Sequence, residues 1–485
     1  MRTLALLAGL GVGAVALLAG GLVARAPSEP WQAPAVDVAD LPVNAYVVAG
    51  AVSDFLKIDT QQPPGPNSWR TVRRAPDSED TMPAWVAFLD KRYLTPLDLS
   101  WRMVAGALVI DVPSPDDRAP VVWLSHVDVV PIGDAAAWTH PPFAGTRADG
   151  FVWGRGAADN KAALITQLEA LRAAEERGVV PSRDLVIVVT TDEEISGATA
   201  KTLAESHLAE LGDPEVLIDE GSFVLPDFLP GATVGAVAVA EKTFVTYELT
   251  VPGRDGHSSM PDGDSALDQL TIALDRLRTW ETPDRLPPPL IEAFKRLAPS
   301  RGFPESLALG NADLLSPVLL GIVQGTPAGN AVTRNTVAAT VVDAGTKDNV
   351  LPYSARALVN ARLLPDQDVE AFTAELVAQI GNPRIRVETL AWPAQATVTS
   401  HETDTFHAIE AALAWVDPAT IVVPSQTPGT MDARFFSAAG LDTYRIHPFL
   451  MPSDERRRLH ALDERISEDN LVRGVRFYWA LMQQL

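Results

Sequence analysis

The sequence predicts an α/β fold on a mixed, mostly parallel sheet, with a separate α+β module inserted into it. Three features carry this expectation. β-Branched runs alternate with amphipathic helices from about Val36 to Val239, the pattern becomes half-exposed alternation after Lys242, and helix and strand return from about Thr403. Strands alternating with helices form parallel sheets whose ligands bind beyond the strand C-termini. The expected organisation is 1–34 as an N-terminal segment, 35–242 and 396–485 as two parts of one domain, and 243–395 as the insertion.

Taken in order, the chain first shows an uncharged run from Thr3 to Ala24, between Arg2 and Arg25, followed by a Pro-containing linker to Pro34. About 20 apolar residues suffice to cross a bilayer, and signal peptides have shorter apolar cores. Pro27 directly after Ala24-Arg25-Ala26 disfavours cleavage there. The expectation is an uncleaved membrane anchor in preference to a signal peptide, with the body exported in either case.

Val121–Leu124 then reads as a buried strand, and Asn160–Arg177 as a helix with Leu164, Leu168 and Leu171 in a stripe ended by Gly178. Leu185–Val189, Glu215–Ile218 and Val234–Val239 follow as strands. In the insertion, Thr243–Val251 alternates as a half-exposed strand and Leu267, Leu270, Leu274 and Leu277 mark a helix. A Pro-rich interval around Pro287, Pro299 and Pro304 reads as a loop region. Strands near Asn335–Val342, Ala355–Arg362 and Arg384–Thr389 flank a helix from about Asp368, and a final helix spans about Asp469–Gln484.

The composition narrows the function. A chain of 485 residues exceeds one core, which stops growing at about 250–300 residues. A net charge of −23 excludes a nucleic-acid partner, which needs clustered Lys and Arg. The absence of cysteine excludes disulfides, thiol catalysis and cysteine-ligated zinc, so any metal rests on His, Asp and Glu.

Five segments concentrate such side chains. Ser125-His126-Val127-Asp128 follows a strand, and residues two apart on extended chain point the same way, so His126 and Asp128 can act together. Asp159 opens a helix, where it can cap or ligate. Asp192-Glu193-Glu194 sits at a strand end, where three crowded carboxylates call for a cation. Asp219-Glu220-Gly221 again follows a strand, and His460 lies in Arg458–Glu464 near the C-terminus. Three of the five follow strands of one sheet, so they should converge at its edge. His140, His207, His401, His407 and His447 have no comparable context and read as structural or exposed.

In this order and spacing the segments resemble the di-zinc metallopeptidase family of aminoacylase, carboxypeptidase S and carboxypeptidase G. The stretches Trp123–Asp128, Trp138–Lys161, Asp192–Gly197 and Ile218–Gly221 look nearest to the carboxypeptidase S and secreted N-acyl-amino-acid hydrolase branch. The resemblance implies a zinc-peptidase-type catalytic domain and makes 243–395 a dimerisation lid. It also implies two zinc ions, with manganese or cobalt as substitutes. His126 and Asp219, or Glu220 in other branches, would bind one ion, Glu194 and His460 the other, and Asp159 both. Glu193 becomes the general base and Asp128 the partner of His126. His257, in Gly256–Pro261, would stabilise the oxyanion in a partner subunit's site, giving a homodimer. Asn349 and Arg434 would bind substrate, the Arg434 guanidinium pairing with the substrate's carboxylate.

The implied reaction is hydrolysis of an amide bond beside a free carboxylate, in a small peptide or an N-acyl amino acid, by a metal-bridging hydroxide. Two rivals stand beside it. A non-catalytic receptor-like relative would lack ligands that are all present here. A phosphoesterase would leave the Arg434 segment and the Gly-His-Ser motif unexplained.

Overall fold

The computed structural model describes residues 31–61, 82–261, 263–390, 394–395 and 397–485. A nine-stranded sheet runs through its centre in the order Ser100–Val104, Ala107–Val112, Leu185–Thr190, Val121–His126, Val216–Asp219, Asp442–Arg445, Ala232–Glu241, Thr420–Thr427, with Val224–Leu229 paired to Ala232–Glu241. The four middle strands, from Leu185–Thr190 to Asp442–Arg445, are mutually parallel. Antiparallel neighbours join them on both sides, Ala107–Val112 on one and Ala232–Glu241 on the other, and Thr420–Thr427 runs parallel to Ala232–Glu241.

Side-chain alternation explains why this sheet sits inside. In Val121–His126, Val121 and Trp123 enter the core under the helices, whereas Val122 and Leu124 enter the core on the opposite face. Leu185, Ile187 and Val189 alternate in the same way with Val186 and Val188. A strand with both faces apolar must be covered on both, and each fully buried Val, Ile or Leu contributes about 1.5–3 kcal/mol. Helices Ala45–Leu56, Lys161–Arg177, Asp404–Val416 and Glu468–Leu481 supply buried residues to one core, and Ala198–Ser206 and Ala433–Ala438 to the other. Lys161–Arg177 ends on Gly178 at φ 64°, the left-handed cap expected of it.

A second, four-stranded antiparallel sheet has the order Thr336–Ala344, Ser354–Leu363, Thr243–Pro252, Arg386–Thr389. Val245, Tyr247, Leu249 and Val251 pack with Ala357, Val359 and Ala361 against helices Ala266–Arg278 and Val369–Ile380. The chain passes between the sheets at Glu241–Thr243, where buried Lys242 donates from Nζ to the Ala331 and Arg334 carbonyls (both 2.8 Å) and to Thr336 Oγ1 (3.1 Å).

Two expectations are corrected. The Pro-rich interval is helical, with Pro288–Leu297, Glu305–Gly310, Ser316–Val323 and Pro327–Thr333. Three of these helices carry proline in their first two positions, where the missing N–H has no intrahelical role, so the prolines start helices here. The membrane anchor is the second. Among the described residues no helix is long and apolar enough to cross a membrane, so the anchored localisation is not supported. The Thr3–Ala24 run on which that expectation stood lies outside the described residues.

Candidate active site

The parallel strands bring the predicted segments to one sheet edge. His126 closes its strand opposite Thr190, whose strand leads into Asp192–Glu194, while Asp219 closes the neighbouring strand on the other side. Asp128 locks two of these loops together. Its carboxylate accepts the backbone N–H groups of Glu193 (3.3 Å) and Glu194 (3.1 Å), and its carbonyl lies 3.0 Å from His126 Nδ1. A carbonyl oxygen only accepts, so Nδ1 donates to Asp128 and Nε2 is the ring nitrogen that faces the site. Beyond the acidic loop, Gly197 caps helix Ala198–Ser206 at φ 63°. A Cβ there would lie 2.2 Å from Asp432 Oδ1, so only glycine fits the turn.

Asp159 and His460 come from distant parts of the chain, and one buried carboxylate joins them. Glu464 accepts Arg155 Nη1 (2.7 Å) and the Gly156 N–H (3.1 Å) on Oε2, and the Ala158 (2.9 Å) and Asp159 (3.2 Å) N–H groups on Oε1. It thereby shapes the Asp159 loop from within the loop that carries His460. His460 and Asp463 both hold positive φ (59°), an uncommon conformation for residues other than glycine. The Asp463 carboxylate ties that loop down by accepting the Thr139 N–H (2.7 Å) and Oγ1–H (2.8 Å).

Asp159 lies between the two imidazoles. Its Oδ1 is 3.1 Å from His126 Nε2 and its Oδ2 is 3.0 Å from His460 Nε2. Glu220 Oε1 stands 3.0 Å from His126 Nε2, and Glu194 Oε2 stands 3.3 Å from His460 Nε2. Asp219, the residue expected to join His126, turns away: its oxygens accept the backbone N–H groups of Glu220 (2.8 Å) and Ala433 (3.0 Å). The next residue, Glu220, reaches the histidine instead. Its second oxygen lies 3.1 Å from Nε2 of His447, a residue that the sequence reading had set aside.

The charges are unbalanced. Burial pushes the Glu193 carboxyl well above the usual range, with His126 opposing and Glu220, Asp432 and Glu194 reinforcing the rise. Burial and then Asp159 bring Glu194 up to about 7. Hydrogen bonds to Asp159 and Glu194 push His460 up to about 11. Each Nε2 atom faces two carboxylates with at most one proton to offer, a donor set that fits a cation. His126, Glu193 and Glu220, and separately His126, Asp159 and Glu194, bring one ligand atom each within 4.8 Å of one another. These are the imidazole and carboxylate ligands that hydrolytic zinc, manganese and cobalt sites use.

The centre opens into a cavity of about 800 Å³ between the sheets. Its wall includes Arg434, half-buried, with Nη1 donating to the Met431 carbonyl (2.7 Å) and Nη2 to the Ser196 carbonyl (2.8 Å). It also includes Arg362, which nothing in the sequence singled out. Arg362 pairs across the second sheet with Phe244, on the face opposite the Val245–Tyr247 core, and its guanidinium lies 4.4 Å from the Phe244 ring centroid. His257 and Asn349 do not reach the cavity. Both are exposed, and Ser258 N–H donates to the Asn349 carbonyl (3.2 Å) where Gly256–His257 pairs with Val350–Leu351.

With this geometry in view, the chain is similar to known proteins over most of its length. Residues 122–484 match peptidase family M20/M25/M40. The N-fatty-acyl-amino acid synthase/hydrolase PM20D1.1 of Danio rerio is 32% identical over 370 residues, covering 75% of this chain and 72% of that protein. The probable carboxypeptidase S-like 2 of Dictyostelium discoideum is 28% identical over 374 residues, covering 75% and 71%. Among solved structures, the M20 family metallo-carboxypeptidase Sso-CP2 from Sulfolobus solfataricus superposes with a TM-score of 0.66 at 16% identity, over 90% of this chain and 98% of that one. The chain therefore belongs to peptidase family M20/M25/M40 and is a metal-dependent hydrolase of amide bonds.

Proposed function

We propose that this chain hydrolyses N-acyl amino acids bearing an apolar acyl group, with two zinc ions as cofactor. One observation carries the reading: a single cavity joins the imidazole–carboxylate centre, two guanidinium groups and apolar side chains including Ile195, Phe223, Phe244, Leu390, Met431 and Leu459. The guanidiniums of Arg362 and Arg434 suit the substrate carboxylate, which a planar fork binds through paired hydrogen bonds. The apolar residues suit an aliphatic chain, in keeping with the N-fatty-acyl-amino acid synthase/hydrolase that the chain is similar to.

In this reading His126, Asp159 and Glu220 hold one ion, and Asp159, Glu194 and His460 the other. The pair, when bound, supplies Lewis-acid activation of a water and of the scissile carbonyl. Glu193 takes the proton as the water oxygen bonds to the carbonyl carbon, and returns it to nitrogen as the C–N bond breaks, leaving a carboxylic acid and a free amino acid. Burial suits Glu193 to this exchange by raising its proton affinity. Asp128 acts through His126 and through the Glu193–Glu194 backbone.

His257 and Asn349 act in this reading on the site of a second copy, in a homodimer formed through the second sheet's module. Their exposed position outside the cavity supports that role, as does the outer edge of Thr336–Ala344, unpaired among the described residues. A second reading, carboxypeptidase action on small peptides, is favoured by the similarity to carboxypeptidase S-like 2.

A series of N-acyl amino acids of increasing acyl length, run beside dipeptides with the same C-terminal residue, tests the substrate class. Rising kcat/KM with chain length supports the proposal. Faster cleavage of the dipeptides overturns it in favour of the peptidase.

A further inference from the structure

We infer that His447 is the positioning residue for Glu220, and thereby settles which of two adjacent carboxylates serves the His126 half of the centre. The inference rests on the reading of Glu220 as a ligand. His447 follows the strand Asp442–Arg445, which runs parallel to Val216–Asp219 with Arg445 opposite Asp219. The main chain then laces the two segments further: Ile446 N–H donates to the Asp219 carbonyl (2.8 Å) and His447 N–H to the Ser222 carbonyl (2.7 Å). This fixes the His447 backbone beside Glu220 before any side-chain contact is made.

The imidazole then packs beside two aromatic rings. Its centroid lies 5.3 Å from Phe449 at an interplanar angle of 15°, and 5.3 Å from Phe223 at 31°. The residue is 2% exposed. There Nε2 lies 3.1 Å from Glu220 Oε2, an acceptor, so Nε2 carries the proton. Nδ1 is buried with no hydrogen-bond partner among the described residues. A buried ring nitrogen left unsatisfied carries a free-energy cost, so packing alone would favour an apolar ring here. Among the described residues, the polar contact of the ring that compensates is the bond to Glu220.

That contact sorts the neighbouring carboxylates. Asp219 is occupied by two backbone N–H groups and points to Ala433. Glu220, with a longer side chain and more rotamers to lose, is held at Oε2 so that Oε1 stays 3.0 Å from His126 Nε2. Removing the His447 donor frees Glu220 to leave that orientation. Loss of such an outer hydrogen bond lowers metal affinity by about 10–100-fold.

The experiment compares the wild type with His447→Phe, His447→Gln and Glu220→Gln. Each is titrated with zinc against a chromophoric chelator, and the visible absorption spectrum of each cobalt-loaded protein is recorded. Thermal unfolding in excess chelator reports whether each variant is folded. The inference predicts that His447→Phe weakens one of the two ions by about 10–100-fold and alters the cobalt spectrum. His447→Gln, which keeps an N–H donor, should restore most of that affinity. Two ions bound by His447→Phe as tightly as by the wild type would overturn it. So would equal weakening in folded His447→Phe and His447→Gln, since that assigns the effect to packing. If Glu220→Gln weakens metal while His447→Phe does not, this inference alone fails. If Glu220→Gln binds both ions normally, the ligand reading fails and takes the inference with it.

Discussion

Replacing Glu464 by glutamine tests whether one buried carboxylate assembles both halves of the centre. Glu464 accepts four hydrogen bonds, two on each oxygen, from Arg155, Gly156, Ala158 and Asp159. The amide keeps one acceptor oxygen and turns an NH2 group toward the donors on the other side. If the oxygen stays with Ala158 and Asp159, buried Arg155 loses its 2.7 Å counter-charge. Breaking such a buried pair costs about 3–5 kcal/mol, and a stranded Gly156 N–H costs about 1–3 kcal/mol. The two losses share one site and do not add, so about 3–5 kcal/mol is expected in total. Urea unfolding in excess chelator isolates this loss from any metal contribution. Zinc titration of the same variant should show weaker binding, because the Asp159 loop is no longer held. Stability within about 1 kcal/mol of wild type, together with unchanged zinc affinity, would refute the reasoning.

Three other perturbations give separate readouts. Glu193→Gln should lower kcat by about 10²–10⁴-fold while leaving the zinc content unchanged, and near-normal turnover would remove Glu193 from the proton transfer. Arg362→Ala should cost about 1.5–3 kcal/mol in kcat/KM for substrates with a free carboxylate and far less for their amides, whereas equal losses on both would point to a packing role. Burial, with Arg362 adding to it, lowers the Lys242 ammonium to about 7 in the folded state. Between that value and the ordinary lysine pKa the unfolded chain binds more protons, so the Lys242 contribution to stability rises with pH across this window. The Tm difference between wild type and Lys242→Met should therefore shift toward the wild type from pH 7 to pH 10, and a pH-independent difference would contradict it.

Much of this arrangement was legible in the chain because it depends on local pattern. The continuous apolar runs Val121–Leu124 and Leu185–Val189 located two of the middle strands, and the acidic and histidine residues beyond them fell at one edge, as parallel topology requires. The choice between Asp219 and Glu220 was not legible, because both follow the same strand. It turns on a backbone N–H at Ala433 and an imidazole at 447, both more than two hundred residues away. Arg362 was hidden in a predicted strand, since its place on the cavity face depends on the register with Phe244. The Pro-rich interval misled because proline breaks helix interiors but begins helices equally well. Glu464 stood inside a recognised segment, yet its four donors become visible only when the Asp159 loop is folded against it.

Metal content and activity, measured on the same preparation of residues from about Ala35 onward, test the central claim most directly. The account predicts about two divalent ions per chain and hydrolysis of an N-acyl amino acid that a chelator abolishes and added zinc restores. Metal-free protein that hydrolyses the amide unaided, or that stays inactive after zinc is restored, would contradict it.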